Sequence, residues 1–251
     1  VNLNRIFVVA DRDDKQQLAL RAALDLVRGT AATISFTGFV HDPIVDQPKL
    51  MAATAARKLR SNMISERKRT LAEAAVRHAT SGVRIESEVV WAKDIGAWVK
   101  EHVDRRTHDV LIKSGHRSEG LFYTPTDWQL LRECPIPVLV TRDRIRKSAG
   151  RVLATVDLGS EESVQKALNR RVLGVAADLA QRLGADLHVL YAIPVSVLAQ
   201  DLDLVDGRAL ERRVRRSLAT DVAALAAEYG IPAKHVTLRA GPPERVIDGV
   251  A

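Results

Sequence analysis

Short apolar runs alternate with long stretches of helical spacing along the chain. Arg5–Asp11 (RIFVVAD) predicts a strand, and Leu18, Ala22 and Leu26 recur at helical intervals within residues 14–28. Ala31–Val40 (AATISFTGFV) predicts a second strand, followed by a long helix over residues 48–80 that Ser81-Gly82 closes. Val83–Trp91 predicts a third strand, residues 94–105 a helix, and Asp109–Lys113 (DVLIK) a fourth strand. Thr126 and Gln129 have capping-box spacing, with Pro125 just outside and Asp127 in the first turn, so a helix is expected to start there. Val138-Leu139-Val140, entered through Pro135 and Pro137, predicts a short buried fifth strand. Crossovers of this length between strands imply a parallel sheet with helices on both faces.

Arg142–Arg151 (RDRIRKSAGR) predicts a charged linker, after which the pattern restarts. Arg151–Asp157 (RVLATVD) repeats the form of Arg5–Asp11: an apolar strand, then Asp. Residues 161–183 predict a helix, Ala185–Val195 a strand, residues 206–229 a helix ended by Gly230, and His235–Ala240 a third strand. Gly241-Pro242-Pro243 then opens a helix, where prolines are tolerated. The chain therefore predicts two domains, 1–147 and 148–251. By the plan of the first, the second lacks its last two strands. A parallel sheet ended there would expose its central strand, so the sequence is expected to continue beyond residue 251.

Composition changes this picture little. With 46% hydrophobic and 27% charged residues, the chain is ordinary for a soluble globular protein. One cysteine, Cys134, excludes an internal disulfide framework and fits a reducing compartment. No apolar run approaches the roughly 18 residues of a membrane span, and the first residues lack the form of a signal peptide. A cytoplasmic location with no membrane partner is expected. The net charge of +7 falls wholly in residues 1–150, with 25 Lys and Arg against 18 Asp and Glu. Part of it lies in Arg57–Arg69, which holds six basic residues and one acid. With few aromatics and no base-reading element, this stretch reads as a solvated helix face rather than a nucleic-acid surface.

Several chemistries have no sequence signal. There is no G-x-S-x-G elbow, no Walker loop and no H-E-x-x-H. The seven histidines are scattered, and none pairs with Cys134 or another histidine at zinc-ligand spacing within one element. His102 and His108 are expected at the surface, and His188 inside a strand. Cys134 lies near a helix end, not a start, and is expected to pack. No metal site and no catalytic residue is expected.

The strand–Asp start, the two long crossovers, Gly241–Ile247 (GPPERVI), Asp109–His116 (DVLIKSGH) and the closing Thr124–Val138 (TPTDWQLLRECPIPV) together resemble the universal stress protein family in its tandem form. The resemblance implies two Rossmann-like (adenine nucleotide alpha hydrolase-like) α/β domains. Each would have a parallel five-stranded sheet of order 3-2-1-4-5, incomplete in the second copy. It implies a ligand site at the carboxyl edge between strands one and four. Members that bind ATP carry G-x2-G-x9-G-S/T after strand four, so that backbone N–H groups can surround the phosphates.

The first copy departs from that motif. Aligned on the histidine, Ser114 and Arg117 replace the first two glycines. Aligned on the closing strand, Thr124-Pro125 replaces the final Gly-Ser, and proline has no N–H to donate. This copy is expected to have lost nucleotide, leaving Asp11, Lys113, Ser114, His116, Arg117 and Thr126 as a degenerate site. An ion pair between Asp11 and Lys113 is expected to fill it, with Trp128 packed in the space a nucleotide would use. The alternative reading makes Lys113, His116 and Arg117 a site for a small anionic ligand. In the second copy the resemblance places adenine and ribose contacts at Val156, Asp157 and Ala192, with Gly159 and Ser160 beside them. Ser160 with Glu161 and Glu162 reads equally as a helix start without a ligand. ATP is thus a candidate in the second domain only. The resemblance implies action in bacterial stress response by binding a ligand or a protein partner, without evident catalysis. The alternative is an ATP-binding protein or slow ATPase. Internal dimer-like pairing of the two domains, or a homodimer, is also implied.

Overall fold

The computed structural model describes residues 3–12, 16–115, 125–141, 150–196, 198, 202 and 204–251. The chain divides into two compact units, Asn2–Ile145 and Arg146–Ala251.

In the first unit, five strands form a parallel sheet of order β3-β2-β1-β4-β5. They are β1 (Arg5–Val9), β2 (Ala32–Val40), β3 (Val83–Trp91), β4 (Val110–Ser114) and β5 (Val138–Thr141). β1 is central: Ile6 is level with Ile34 of β2 and with Val110 of β4. The central strands are buried on both faces, as their continuous apolar runs require. Right-handed crossovers set the layers. Going from β1 to β3 the chain steps one way across the sheet, through α1 (Leu18–Leu26) and α2 (Ala53–Arg77). It then returns to β4 and β5, so α3 (Ile95–His102) and α4 (Pro125–Glu133) fall on the opposite face. That face is closed by Phe7, Val9 and Leu111 packed against Val99, Val103, Leu130 and Ile136, with Trp98 and Phe39 at its side. The order reverses between β1 and β4, and this opens a crevice at their carboxyl ends.

In the second unit, β6 (Arg151–Thr155), β7 (Asp186–Ile193) and β8 (Val236–Ala240) form a parallel sheet in that order. It repeats strands one to three of the first unit. Among the described residues its longer helices are α5 (Ser163–Leu183), α6 (Gly207–Ser217), α7 (Ala219–Glu228) and α8 (Pro243–Asp248). Leu173 and Ala176 of α5 meet Val189, Tyr191, Val236 and Leu238, with Leu210, Val214 and Leu225 packed alongside. Gly184 ends α5 in the left-handed conformation at φ 61°, which glycine adopts without a Cβ clash.

Three of the helices that differ from the sequence reading do so by more than a slipped end. Among the described residues the first begins at Leu18 rather than 14, because buried Gln17 takes φ 42° and turns its amide back to the strand end. The helix expected from residue 48 begins at Ala53, after a short 3-10 turn at Pro43–Asp46. The helix expected over 206–229 is two helices, interrupted at Leu218.

Candidate functional site

In the first unit Asp11 follows β1 at the crevice, and nearly all of its polar atoms are engaged. The Gln17 amide accepts from Asp11 N–H (3.1 Å) and donates to its carbonyl (3.2 Å). Arg67 of α2 donates to the same carbonyl at 2.5 Å. Gly38 in β2 makes this reach possible: a methyl there would lie 2.7 Å from Leu71 and 3.0 Å from Arg67. One carboxylate oxygen of Asp11 accepts the Ser114 hydroxyl at 2.5 Å, and the other faces the N–H of Ala19 at 3.4 Å. Asp11 and Ser114 are both buried.

Lys113 turns to a different acid from the one expected. Its ammonium pairs with Asp127 at 2.7 Å and donates to the Ser114 carbonyl at 2.9 Å. The side chains are only 14% and 7% exposed, so the pair is largely desolvated. Asp127 lies in the first turn of α4, where the helix dipole also favours a negative charge. Asp11 is left to Ser114, which corrects the expected Asp11–Lys113 pair. α4 begins at Pro125, so Thr126 sits inside the first turn rather than at its cap. Gln129 lies over Gly96 of α3, where even a methyl group would collide with it. Trp128 does not fill the nucleotide space; it is 52% exposed on α4. What remains is a cavity of about 130 Å3 lined by Asp11, Arg12, Ile95, Lys113, Ser114 and Thr126, among others. His116 and Arg117 lie outside the described residues.

The second unit clamps its strand end in the same way. Asn169 of α5 accepts from Asp157 N–H (3.2 Å) and donates to its carbonyl (2.5 Å), as Gln17 does for Asp11. The Asp157 carboxylate accepts the Gly159 N–H at 2.9 Å. Tyr191 lies over Gly159, and any side chain there would strike its hydroxyl. Burial and the nearby Asp157 charge push the Tyr191 phenol up from its ordinary value. Ser160 accepts the N–H of Glu162 at 3.3 Å, ahead of a helix that begins only at Ser163. Val156 is buried, while Ala192 is half-buried two residues past Leu190, the register partner of Thr155. A cavity of about 300 Å3 borders Asp157, Ser160, Asn169, Lys166, Arg170 and Tyr229.

The model of the universal stress protein family matches residues 2–142 and again 149–251. The chain belongs to the universal stress protein family. It is 30% identical to universal stress protein E of Escherichia coli K12, over 98% of this chain and 80% of that one. It is 27% identical to a universal stress protein E homolog of Haemophilus influenzae, over 100% and 84%. Among solved structures, a functionally unknown protein of Pseudomonas aeruginosa PAO1 is similar at TM-score 0.65 and 23% identity, covering 99% of this chain and 78% of that one. A universal stress protein of Archaeoglobus fulgidus is similar at TM-score 0.53 and 14% identity, covering 98% and 81%. These two likenesses bear on the fold.

Two histidines and the cysteine of the first universal stress domain lie apart from its crevice. His108, expected at the surface, is half-buried: its ring meets Phe7 edge-on at 5.2 Å and the Ser35 hydroxyl at 3.0 Å. Burial, then the Arg5 charge, holds its pKa below the ordinary value. His102 is exposed and stacks on Trp98 at 4.3 Å. Burial pushes the half-buried Cys134 thiol up, away from thiolate chemistry. Gln17, Arg67 and Asn169 carried no motif signal. Their only sequence trace is a polar residue within a helical pattern.

Proposed function

We propose that this tandem universal stress protein acts in bacterial stress response by binding, without catalysis of its own, and that its first domain is a scaffold that has given up nucleotide. The observation that carries this reading is the self-satisfied crevice of the first domain. Asp11 is bound by Ser114, and Lys113 by Asp127, so the charged groups that would meet a ligand are already engaged within the domain. The 130 Å3 left over is well below the roughly 300–1,000 Å3 typical of small-molecule sites. Asp11, Lys113, Ser114 and Thr126 are its degenerate site in this reading, and the cytoplasm its location. The basic stretch of α2 is partly spent inside the domain. Arg67 holds Asp11, Arg69 pairs with Glu66 and Glu73, and Arg60 stacks on Trp91. That leaves little of it for nucleic acid.

A second reading gives nucleotide binding to the second domain. It is favoured by a cavity of about 300 Å3 between α5 and α7 that reaches Asp157 and Ser160 at one end, a volume at the lower end of the ligand range. Val156, Asp157, Gly159, Ser160 and Ala192 would then contribute to the nucleoside end. Calorimetric titration with ATP, followed by a phosphate-release assay, separates the two. No binding supports the first reading, and binding without turnover supports the second as an ATP-binding protein. Steady hydrolysis that Asp157→Ala abolishes supports the second and overturns the first.

A further inference from the structure

β7 opens Asp186-Leu187-His188, so its first and third side chains share one face of the sheet. β8 runs parallel with Val236 level with Val189. One step back, that register sets His235, the last residue of a 3-10 turn before β8, beside His188. The two imidazoles lie face to face, 4.0 Å between centroids and 17° from coplanar. One ligand atom from each of Asp186, His188 and His235 falls within 4.8 Å of the other two. Both histidines are half-buried and Asp186 is exposed. The trio stands at the amino end of β7, the opposite edge from Asp157 and Ser160. The histidines lie 47 residues apart in the chain, roughly the length of the crossover that separates adjacent parallel strands here, so sequence spacing within one element could not reveal them.

We propose that Asp186, His188 and His235 form a binding site for a divalent transition-metal ion, with zinc as the expected occupant. Two imidazoles and one carboxylate suit zinc and its borderline neighbours, whereas magnesium and calcium prefer all-oxygen sites. Three protein ligands leave a fourth tetrahedral position for water, as in open zinc sites. Bonds of about 2.0–2.2 Å draw the ligand atoms closer than they now stand. The rings must rotate out of their stack to do this, and side chains that are half-buried or exposed at a sheet edge have that freedom. Two cations oppose the ion. Arg151 is level with Asp186 on β6, and Lys234 precedes His235. The Asp186 carboxylate offsets only one of them, so the affinity is that of an exchangeable site rather than a structural one.

The test is calorimetric titration of the full chain with zinc chloride at neutral pH, repeated with magnesium chloride. The expected result is one zinc per chain, weakened tenfold or more in His188→Gln and in His235→Gln, with no magnesium binding. Cobalt(II) as a second probe is expected to give visible d–d bands that both variants lose. Far-UV circular dichroism checks that each variant is folded. Should a histidine variant unfold, Asp186→Asn, which changes only an exposed side chain, carries the same expectation. His41→Gln, at a separate His–Asp pair (2.6 Å), is expected to bind zinc as the unaltered protein does. Absence of zinc binding, variants that bind within twofold of the unaltered protein, or loss in His41→Gln instead would each overturn the proposal.

Discussion

At the scale of single residues, the account turns on the pair Lys113–Asp127. Both side chains are largely out of water, so removing one partner leaves an uncompensated buried charge. Lys113→Met is expected to destabilise the first domain by about 3–5 kcal/mol. Lys113→Met with Asp127→Leu is expected to recover most of that loss, because an apolar pair needs no counter-charge. Urea denaturation of both variants checks this; a single variant as stable as the unaltered protein would show that the pair is solvated. His108 gives a pH signature. Its folded pKa lies below the ordinary 6.5 because burial disfavours the cation. The unfolded chain therefore takes up its proton first as pH falls. This contribution to stability is complete above about 6.5 and is lost as pH drops below that value toward the folded pKa. Thermal melts from pH 8 to pH 5 are expected to flatten in His108→Gln; a slope unchanged by the substitution would assign the effect to another group.

At the scale of elements, β2 and α2 meet through a residue with no side chain. Gly38 lets Arg67 and Leu71 approach the strand, and Arg67 is what reaches Asp11. Gly38→Val is expected to cost about 1–3 kcal/mol by overpacking and to loosen the Arg67 contact. Hydrogen exchange at Asp11 and its neighbours, faster in Gly38→Val, would report this; unchanged exchange would separate Arg67 from the strand end. The elements also mark where sequence legibility stopped. Arg5–Asp11 and Arg151–Asp157 were readable as strands because an apolar run ending in Asp is a local signal, and the 3-2-1-4-5 order followed from the family resemblance. The polar clamp was not readable. Ser114 and Asp11 are 103 positions apart, and Arg67 and Asp11 are 56 apart. The Thr126–Gln129 spacing was a real local signal, but α4 starts one residue earlier and Gln129 turns toward Gly96. Lys113 was expected to pair with the Asp11 carboxylate, and it pairs with that of Asp127 instead. Which one it found depended on how close the first turn of α4 comes to the end of β4, a tertiary fact.

At the scale of the molecule, the chain carries two copies of one strand–Asp–helix plan whose shared feature is a side-chain amide binding the backbone of the Asp: Gln17 on Asp11, Asn169 on Asp157. Beyond that clamp they differ. In the first copy the Asp carboxylate is taken by a serine from β4 and its neighbour lysine by α4. In the second it caps its own turn at Gly159, beside an open cavity. The copies thus share a scaffold and a backbone clamp while differing in what engages the Asp carboxylate, and zinc at Asp186, His188 and His235 would add a site at the far edge of the second. The central claim is that the first crevice holds no nucleotide. Its most direct test is ATP titration by calorimetry of the unaltered protein, of Asp157→Ala, and of the double variant Lys113→Met/Asp127→Leu. The account predicts that any ATP binding disappears in Asp157→Ala and persists in the double variant, or that none occurs in any of the three. ATP binding that survives Asp157→Ala and is lost in the double variant would contradict it.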